Sequence, residues 1–220
     1  MKNEKENSRK QEGFLWIALG LLLIAAALFL ASYNLYEDQK AASQSQQVLL
    51  ELLEEMRNLP TEDEADTSEE STEPELVYPD YVLNPYMDMP TVEVEGNDFI
   101  GVLAIPDLEL EVPVMSQWSY PHLKIAPCRY SGSAYLDDMV IAAHNYTRHF
   151  GRLKELSGGE TVTFTDVDGN VFTYEVALVE TLMPTEVEEM ESGDWNLTLF
   201  TCTIGGSYRV TVRCDRITEP

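Results

Sequence analysis

The sequence is short of several kinds of residue, and each shortage narrows its possible functions. Lys and Arg number 14 against 39 Asp and Glu, which gives a formal net charge of −25 at pH 7. A chain this negative repels polyanions, so we expect no nucleic-acid partner. Three cysteines are too few for a disulfide scaffold and lack zinc-site spacing. With no glycine-rich phosphate loop, no internal repeat and acids too dispersed to suggest Ca²⁺ ligands, we expect no metal and no cofactor.

Basic and aromatic residues are missing altogether from one segment. Residues 61–76, TEDEADTSEESTEPEL, contain eight acids and no aromatic. Such a segment cannot bury enough apolar surface to offset the entropy of ordering it. Together with the Pro- and Tyr-rich stretch that follows, it predicts an extended linker over residues 61–95.

One long run lacks charge. Residues 14–32, FLWIALGLLLIAAALFLAS, would form a helix about 28 Å long at roughly 1.5 Å per residue, which matches the hydrocarbon core of a bilayer. A cleaved signal peptide is the alternative, with cleavage after Ala31-Ser32. The run is longer than the apolar core of a secretory signal, which favours an uncleaved transmembrane anchor.

Positive charge flanks the apolar run unevenly. Before the run stand Lys2, Lys5, Arg9 and Lys10, whereas only Lys40 and Arg57 follow within about thirty residues. This bias predicts a single-pass protein of the cell membrane, with residues 1–13 as a cytoplasmic tail and everything beyond the anchor outside the cell.

Beyond the anchor, apolar residues recur at helical spacing. They are Val48, Leu49, Leu52, Leu53 and Met56, and Pro60 ends the pattern. We therefore expect an amphipathic helix over 41–59 within a stalk at residues 33–60. The same face could instead bind a partner or a second copy of the chain.

From Phe99 onward, short apolar runs alternate with turn signals. Alternating residues on both sides of Asp168-Gly169 predict a hairpin. Six or more strands in about 120 residues predict a mostly β fold, a closed or nearly closed antiparallel barrel. Short helical turns are expected only near 118–124, 149–156 and 184–190.

Three residues with reactive or charged side chains stand at strand ends. His144 ends the run MVIAAHN, Cys202 ends LTLFTC, and Arg209 begins RVTVR. The intervening TIGGSY is short enough to turn the chain directly back, which predicts that Cys202 and Arg209 face each other on neighbouring strands. His122 and His149 lie in loop-like surroundings, where we expect surface or packing roles.

These motifs resemble the sortase family of Gram-positive cell-surface transpeptidases. The resemblance rests on TLFTC, a following strand that opens with Arg, a preceding strand that ends in HN, and IGVLAIPDLELEVPV. It covers roughly residues 96–216 and identifies residues 96–220 as a sortase-like catalytic β-barrel. Ala143 departs from the Gly that many members carry before the His, and it leaves the imidazole in place.

The resemblance implies a membrane-anchored cysteine transpeptidase. Cys202 would attack a C-terminal sorting signal similar to LPxTG in a surface protein and form a thioester. An amine of peptidoglycan or of a pilin would then resolve the thioester. His144 would transfer protons, Arg209 would donate hydrogen bonds to substrate or oxyanion, and Thr201 would help to position the substrate.

Several alternatives stay open at this stage. Arg213 points to the same strand face as Arg209, and strand position alone favours Arg209. Cys128 and Cys214 could form a disulfide or remain free thiols. The domain could also be a non-catalytic surface binding or assembly module, or a cysteine protease that hydrolyses its substrate.

Overall fold

The structure is a computed structural model that describes residues 2–59, 78–192 and 195–217, the side chains of residues 2–13 excepted. The acidic run 61–76, which predicts a linker, lies outside the described residues. The chain divides into two units, residues 1–40 and residues 41–220.

The long helix α1 (Lys2–Asn58) begins in the first unit and ends in the second. In the first unit it carries the apolar run 14–32, whose side chains are almost all exposed. Among the described residues, it is the one helix long and apolar enough to cross a bilayer. Its length and composition fit a single-pass membrane anchor.

The second unit is mainly β. Its strands within the described residues are β1 (Val92–Val94), β2 (Asn97–Ile105), β3 (Leu110–Met115), β4 (Cys128–Ser131), β5 (Met139–Ala143), β6 (Thr161–Asp166), β7 (Val171–Leu182), β8 (Leu197–Cys202) and β9 (Arg209–Arg216). The remaining helices in the described part of this unit are short: α2 (Asp80–Leu83), α3 (Val187–Glu191) and 3₁₀ turns at Pro106–Leu108, His122–Lys124 and Leu153–Glu155. The predicted low helical content of this region is confirmed.

Eight of these strands form a closed barrel. Their order is β2-β3-β4-β5-β8-β9-β7-β6, and pairing of β2 with β6 closes the ring. At this seam Gly101, with φ of 153°, lies opposite Asp166. A side chain at Gly101 would collide with the main-chain oxygen of Thr165, so the close approach of the strands requires glycine here.

The prediction of a closed barrel is confirmed, with a difference in strand direction. Six of the eight pairings in the ring are antiparallel, whereas β3–β4 and β5–β8 are parallel. The β5–β8 pair is parallel because the chain crosses over through β6, β7 and α3 before it returns beside β5. Runs of apolar residues do not reveal such a long connection.

The hairpin predicted at Asp168-Gly169 is present between β6 and β7. Its loop is longer than a two-residue turn: the Asp166 carboxylate accepts hydrogen bonds from the backbone and side-chain N–H groups of Asn170, both at 2.8 Å, and Gly169 has φ of 86°. An unexpected second hairpin joins β1 to β2 through Glu95-Gly96, both at positive φ. The sheet therefore begins at Val92, inside the segment expected to be linker.

The two largest of the three hydrophobic clusters among the described residues stabilise the second unit. The larger contains side chains from most strands of the barrel, including Leu103, Phe164 and Tyr174. The other joins Val48 and Leu52 of α1 to barrel residues such as Phe99. The apolar face that predicts an amphipathic helix over 41–59 is thus packed on the barrel in the structure.

Candidate active site

Two parallel strands place His144 beside Cys202. Ala143, the last residue of β5, pairs with Thr201 in β8, so the residue that follows each one emerges at the same edge of the barrel. The Thr201 hydroxyl donates a 2.8 Å hydrogen bond to the Ala143 carbonyl oxygen, and both residues are buried. This bond fixes the register of the two strand ends that carry the imidazole and the thiol.

The turn between β8 and β9 places Arg209 directly opposite Cys202 in the strand register. Thr203 and Tyr208 close the turn with a 2.9 Å backbone hydrogen bond, and Gly205 and Gly206 both have positive φ. The predicted pairing of Cys202 with Arg209 is therefore present. The Arg209 guanidinium donates hydrogen bonds of 3.1 and 3.2 Å to main-chain oxygens of this turn.

One cavity, which we call the first cavity, brings these side chains together. It has a volume of about 210 Å³, and His144, Cys202 and Arg209 all border it. Its aromatic wall comprises Trp118, Tyr120, Tyr130 and Phe200. A second part of the lining comes from the segment around α3, including Met183, Pro184, Val187 and Met190. A mostly apolar pocket with a few polar groups is typical of a ligand-binding site.

The aromatic wall is a continuous series of ring contacts. Tyr130 packs edge-to-face on Phe200 with centroids 5.3 Å apart, and Trp118 contacts Tyr130 at 5.4 Å and Tyr120 at 5.9 Å. Phe200 stands two residues before Cys202 on β8, so the wall begins beside the thiol. Contacts of this kind hold the rings in fixed orientations.

The environment of His144 favours the neutral imidazole. Burial lowers its pKa from 6.5 because desolvation penalises the charged form, and the nearby charge of Lys124 lowers it further. A neutral imidazole can accept a proton from a neighbouring thiol at pH near 7.

The two candidate arginines have different environments. Arg213 is 3% exposed and its guanidinium is fully engaged. It donates to Glu180 at 2.8 Å, to the main-chain oxygens of Met190 at 2.9 Å and Glu189, and to the Thr198 hydroxyl at 3.1 Å. Arg213 therefore fastens α3 to the barrel, whereas Arg209 borders the first cavity. Strand alternation could not separate them, and their hydrogen-bond partners do.

The three cysteines, all within the described residues, are free thiols in the structure. Cys202 is partly exposed, whereas Cys128 and Cys214 are buried. Burial raises the pKa of both buried thiols to about 12, which keeps them protonated and unreactive. The accessible thiol is thus the one that borders the cavity.

The other two histidines lie outside the first cavity. The His122 Nδ1 donates to the Gln117 carbonyl oxygen at 2.9 Å in a 3₁₀ turn. His149 is fully buried and packs against the Tyr146 ring at 5.5 Å.

Sequence reasoning missed both walls of the cavity. The aromatic signal WSY at 118–120 stands more than 70 residues before Phe200 in the chain, and no periodicity links them. The α3 segment was predicted only as a short helix. Among the residues that the structure describes, no group of three or more His, Cys, Asp or Glu side chains could hold a metal ion.

Comparison with known proteins identifies the domain. A family model described as the sortase domain matches residues 103–217. No curated protein matches the chain.

Solved structures that resemble the chain include three sortases. Sortase D5, a transpeptidase of Clostridium perfringens, is 18% identical with a TM-score of 0.57, over 80% of this chain and 99% of that one. Sortase C1 of Streptococcus agalactiae is 24% identical with a TM-score of 0.50, over 59% of this chain and 72% of that one. Sortase C1 of Streptococcus suis is 27% identical with a TM-score of 0.48, over 56% of this chain and 74% of that one.

The first two likenesses concern the fold alone, because their identity is low. The family match spans more than half of the chain and coincides with the barrel that carries the first cavity. The chain therefore belongs to the sortase family.

Proposed function

We propose that this protein is a membrane-anchored cysteine transpeptidase that cleaves a C-terminal sorting signal similar to LPxTG and transfers the acyl part to an amine. Membership in the sortase family supports the transpeptidase activity in general terms. One observation carries the assignment of residues: His144, Cys202 and Arg209 border a single cavity at adjoining strand ends.

The first half-reaction forms a thioester. Neutral His144 accepts the thiol proton of Cys202, and the thiolate attacks the carbonyl carbon of the scissile peptide bond. Arg209 donates hydrogen bonds to the oxyanion or to the adjacent substrate backbone. As the C–N bond breaks, His144 returns its proton to the leaving nitrogen, and the acyl group stays on sulfur.

The second half-reaction reverses these roles. A neutral amine attacks the thioester carbon, the C–N bond forms, and the C–S bond breaks with its electron pair remaining on sulfur. His144 takes the surplus proton from nitrogen. The amine comes from peptidoglycan or from a pilin subunit in this proposal.

Two features of the first cavity suit a peptide substrate. The aromatic wall offers flat apolar surface for the Leu and Pro side chains of such a signal. Thr201 contributes by holding the ends of β5 and β8 in register, because its hydroxyl donates a hydrogen bond to the Ala143 carbonyl oxygen.

The localisation proposal rests on the N-terminal charge bias. We propose that the apolar run of α1 anchors the protein with its N-terminus in the cytoplasm and its barrel outside the cell. Surface proteins that carry sorting signals are accessible there.

Three single substitutions test the catalytic assignment. Cys202→Ala should abolish cleavage of sorting-signal peptides, and His144→Ala and Arg209→Ala should each lower kcat/KM by roughly 10² to 10⁴-fold. Cys128→Ala and His122→Ala are matched controls outside the cavity and should retain cleavage. Unchanged turnover in any of the three variants would remove that residue from the mechanism, and products from Cys202→Ala would reject the thioester.

A further inference from the structure

The proposed mechanism requires that the His144 imidazole be held in a fixed orientation. A catalytic base is usually kept aligned with its nucleophile by a third group, often through a hydrogen bond to its second ring nitrogen. His144 follows the last residue of β5, and its main-chain oxygen accepts a 3.3 Å hydrogen bond from the Phe150 N–H. Among the described residues, no hydrogen bond fixes the imidazole itself. The orienting contact is therefore of another kind.

The ring of Tyr146 supplies such a contact. Its centroid lies 5.2 Å from that of the His144 imidazole, and the two ring planes are tilted by 58°. Tilted aromatic pairs with centroids about 4.5–7 Å apart attract each other. A loop that fixes Tyr146 therefore also restricts the positions that the imidazole can take.

A second imidazole also packs on Tyr146. The fully buried ring of His149 lies with its centroid 5.5 Å away and its plane at 62°. The Tyr146 main-chain oxygen accepts hydrogen bonds from the N–H groups of His149 and Gly151, both at 3.0 Å. Phe150 in the same loop is buried in the larger hydrophobic cluster of the barrel. The loop after β5 thus holds the Tyr146 ring against two imidazoles, of which only that of His144 borders the first cavity.

Tyr146 borders neither of the two cavities next to this loop. His144 borders the first cavity. A second cavity, with a volume of about 480 Å³, is bordered by Asn145 and Thr147. Among the described residues that line these two cavities, Tyr146 is not present. Any effect of its side chain on the reaction is therefore transmitted through His144.

We propose that Tyr146 is a positioning residue that keeps the His144 imidazole aligned with Cys202, and that the buried ring of His149 supports Tyr146 in this role. The proposal rests on the proposed transpeptidase function. Proton transfer in both half-reactions depends on this alignment, whereas binding of the donor peptide does not. Loss of the Tyr146 ring should therefore act on kcat and not on KM.

Replacement of the ring tests the positioning role in the full chain. Tyr146→Leu keeps an apolar side chain and should lower kcat by roughly threefold to tenfold, which is the change in the aligned population that one aromatic contact supports. The KM for the donor peptide should stay within about twofold. Tyr146→Phe keeps the ring and should retain kcat within about twofold. Tyr86→Leu is the matched control, because this ring is 84% exposed and lies outside both cavities.

NMR provides a readout of the contact that does not depend on activity. The ring current of Tyr146 should displace the imidazole proton resonances of His144, which are assigned by their loss in His144→Ala. The displacement should persist in Tyr146→Phe and disappear in Tyr146→Leu. If Tyr146→Leu does not fold, Tyr146→Met serves as a second variant without a ring, since its flexible side chain fills irregular space.

The outcomes separate this role from the proposed function. Suppose that the wild-type protein cleaves sorting-signal peptides. An unchanged kcat in the variants without a ring, a rise in KM in place of the fall in kcat, or an equal loss in Tyr146→Phe would then overturn the positioning role and leave the proposed function intact. Absence of cleavage by the wild-type protein would overturn both.

Discussion

At the scale of single residues, the site depends on how three side chains differ from others of their type. Cys202 is partly exposed while Cys128 and Cys214 are sealed in the barrel. Arg209 borders the first cavity, whereas the Arg213 guanidinium donates hydrogen bonds to four partners. His144 borders that cavity, unlike His122 and His149. Residue type alone therefore does not distinguish the side chains of the candidate site, whereas their burial and their hydrogen-bond partners do.

Alkylation should distinguish the thiols directly. In the folded protein, iodoacetamide should add a single carbamidomethyl group, at Cys202, because the other two thiols are inaccessible and their pKa is about 12. Unfolding in guanidinium should expose all three. Peptide mapping checks the site, and modification of Cys128 or Cys214 at the native rate of Cys202 would contradict the described burial.

The positive charge of Lys124 should lower the pKa of His144. Burial is the larger cause of the lowered pKa and Lys124 the second, so Lys124→Gln should raise the His144 pKa part of the way towards 6.5. In the proposed mechanism activity requires the neutral imidazole, so it should fall as the pH drops through this pKa. The variant should therefore lose activity at a higher pH than the wild type. NMR titration of the imidazole protons measures the shift.

Arg57→Gln provides the matched control for that titration. It removes one positive charge from the exposed end of α1, and the His144 pKa should not move. If both variants shift the pKa equally, the effect belongs to net charge and not to Lys124.

At the scale of elements, α3 depends on one buried side chain. Arg213 holds the carbonyl oxygens of Glu189 and Met190, and Met190 borders the first cavity. Arg213→Met should lower the free energy of unfolding by roughly 2–4 kcal/mol, because it leaves buried acceptors without a charged donor. It should also raise the KM for the donor peptide more than it lowers kcat. Denaturant unfolding and peptide kinetics measure the two effects.

Glu180→Gln tests the Arg213–Glu180 ion pair separately from the hydrogen bonds that Arg213 donates to α3, which we call the clamp. Glu180 is 31% exposed, so its charge is screened by water and its loss should cost roughly 1 kcal/mol or less. The bonds from Arg213 to α3 remain in this variant, and the KM should stay near that of the wild type. Equal effects of the two substitutions would show that the ion pair, and not the clamp, stabilises α3.

The seam between β2 and β6 should be intolerant of a side chain. Gly101→Ala forces a collision with backbone at positive φ, and we expect a loss of roughly 2–4 kcal/mol in unfolding free energy. Gly159 has φ of 93° and open space around its Cβ position. Gly159→Ala should therefore cost only the backbone strain, roughly 1 kcal/mol. A cost for Gly101→Ala no larger than this would argue against the tight seam.

Sequence patterns predict the local features of this fold, but they do not predict its long-range strand pairings. The hairpin at Asp168-Gly169 and the pairing of Cys202 with Arg209 follow from turn residues a few positions apart. The parallel pairing of β5 with β8 joins residues 58 positions apart, as between Ala143 and Thr201. Nothing in local hydrophobicity encodes such a contact, although it places His144 beside the thiol.

The sequence does not predict that α1 packs on the barrel, for a related reason. Val48 and Leu52 predict an amphipathic helix, but a periodic apolar stripe does not say which surface covers it. The choice between Arg209 and Arg213 likewise needed the positions of Glu180 and α3, which strand alternation leaves undetermined.

At the scale of the whole molecule, an apolar helix and a barrel have different roles. The run 14–32 fits a membrane anchor, and the barrel carries the cavities. Replacing Leu22 and Ala26 with Arg should release the protein from the membrane fraction, because each charge at a bilayer centre costs roughly 2.5–3.5 kcal/mol. Asn34→Arg with Gln39→Arg adds the same charge outside the run and should leave the protein in the membrane. Alkaline extraction followed by immunoblotting checks both, and retention of the first variant would contradict the anchor.

The account depends on a covalent bond between Cys202 and the acyl part of a sorting signal. Intact-mass spectrometry of the full protein, mixed with a library of LPxTG-like peptides and quenched in acid, tests for that bond. We predict a mass increase equal to the acyl fragment, lost on addition of hydroxylamine and absent from Cys202→Ala. No adduct with any peptide, or an adduct that persists in Cys202→Ala, would contradict the account.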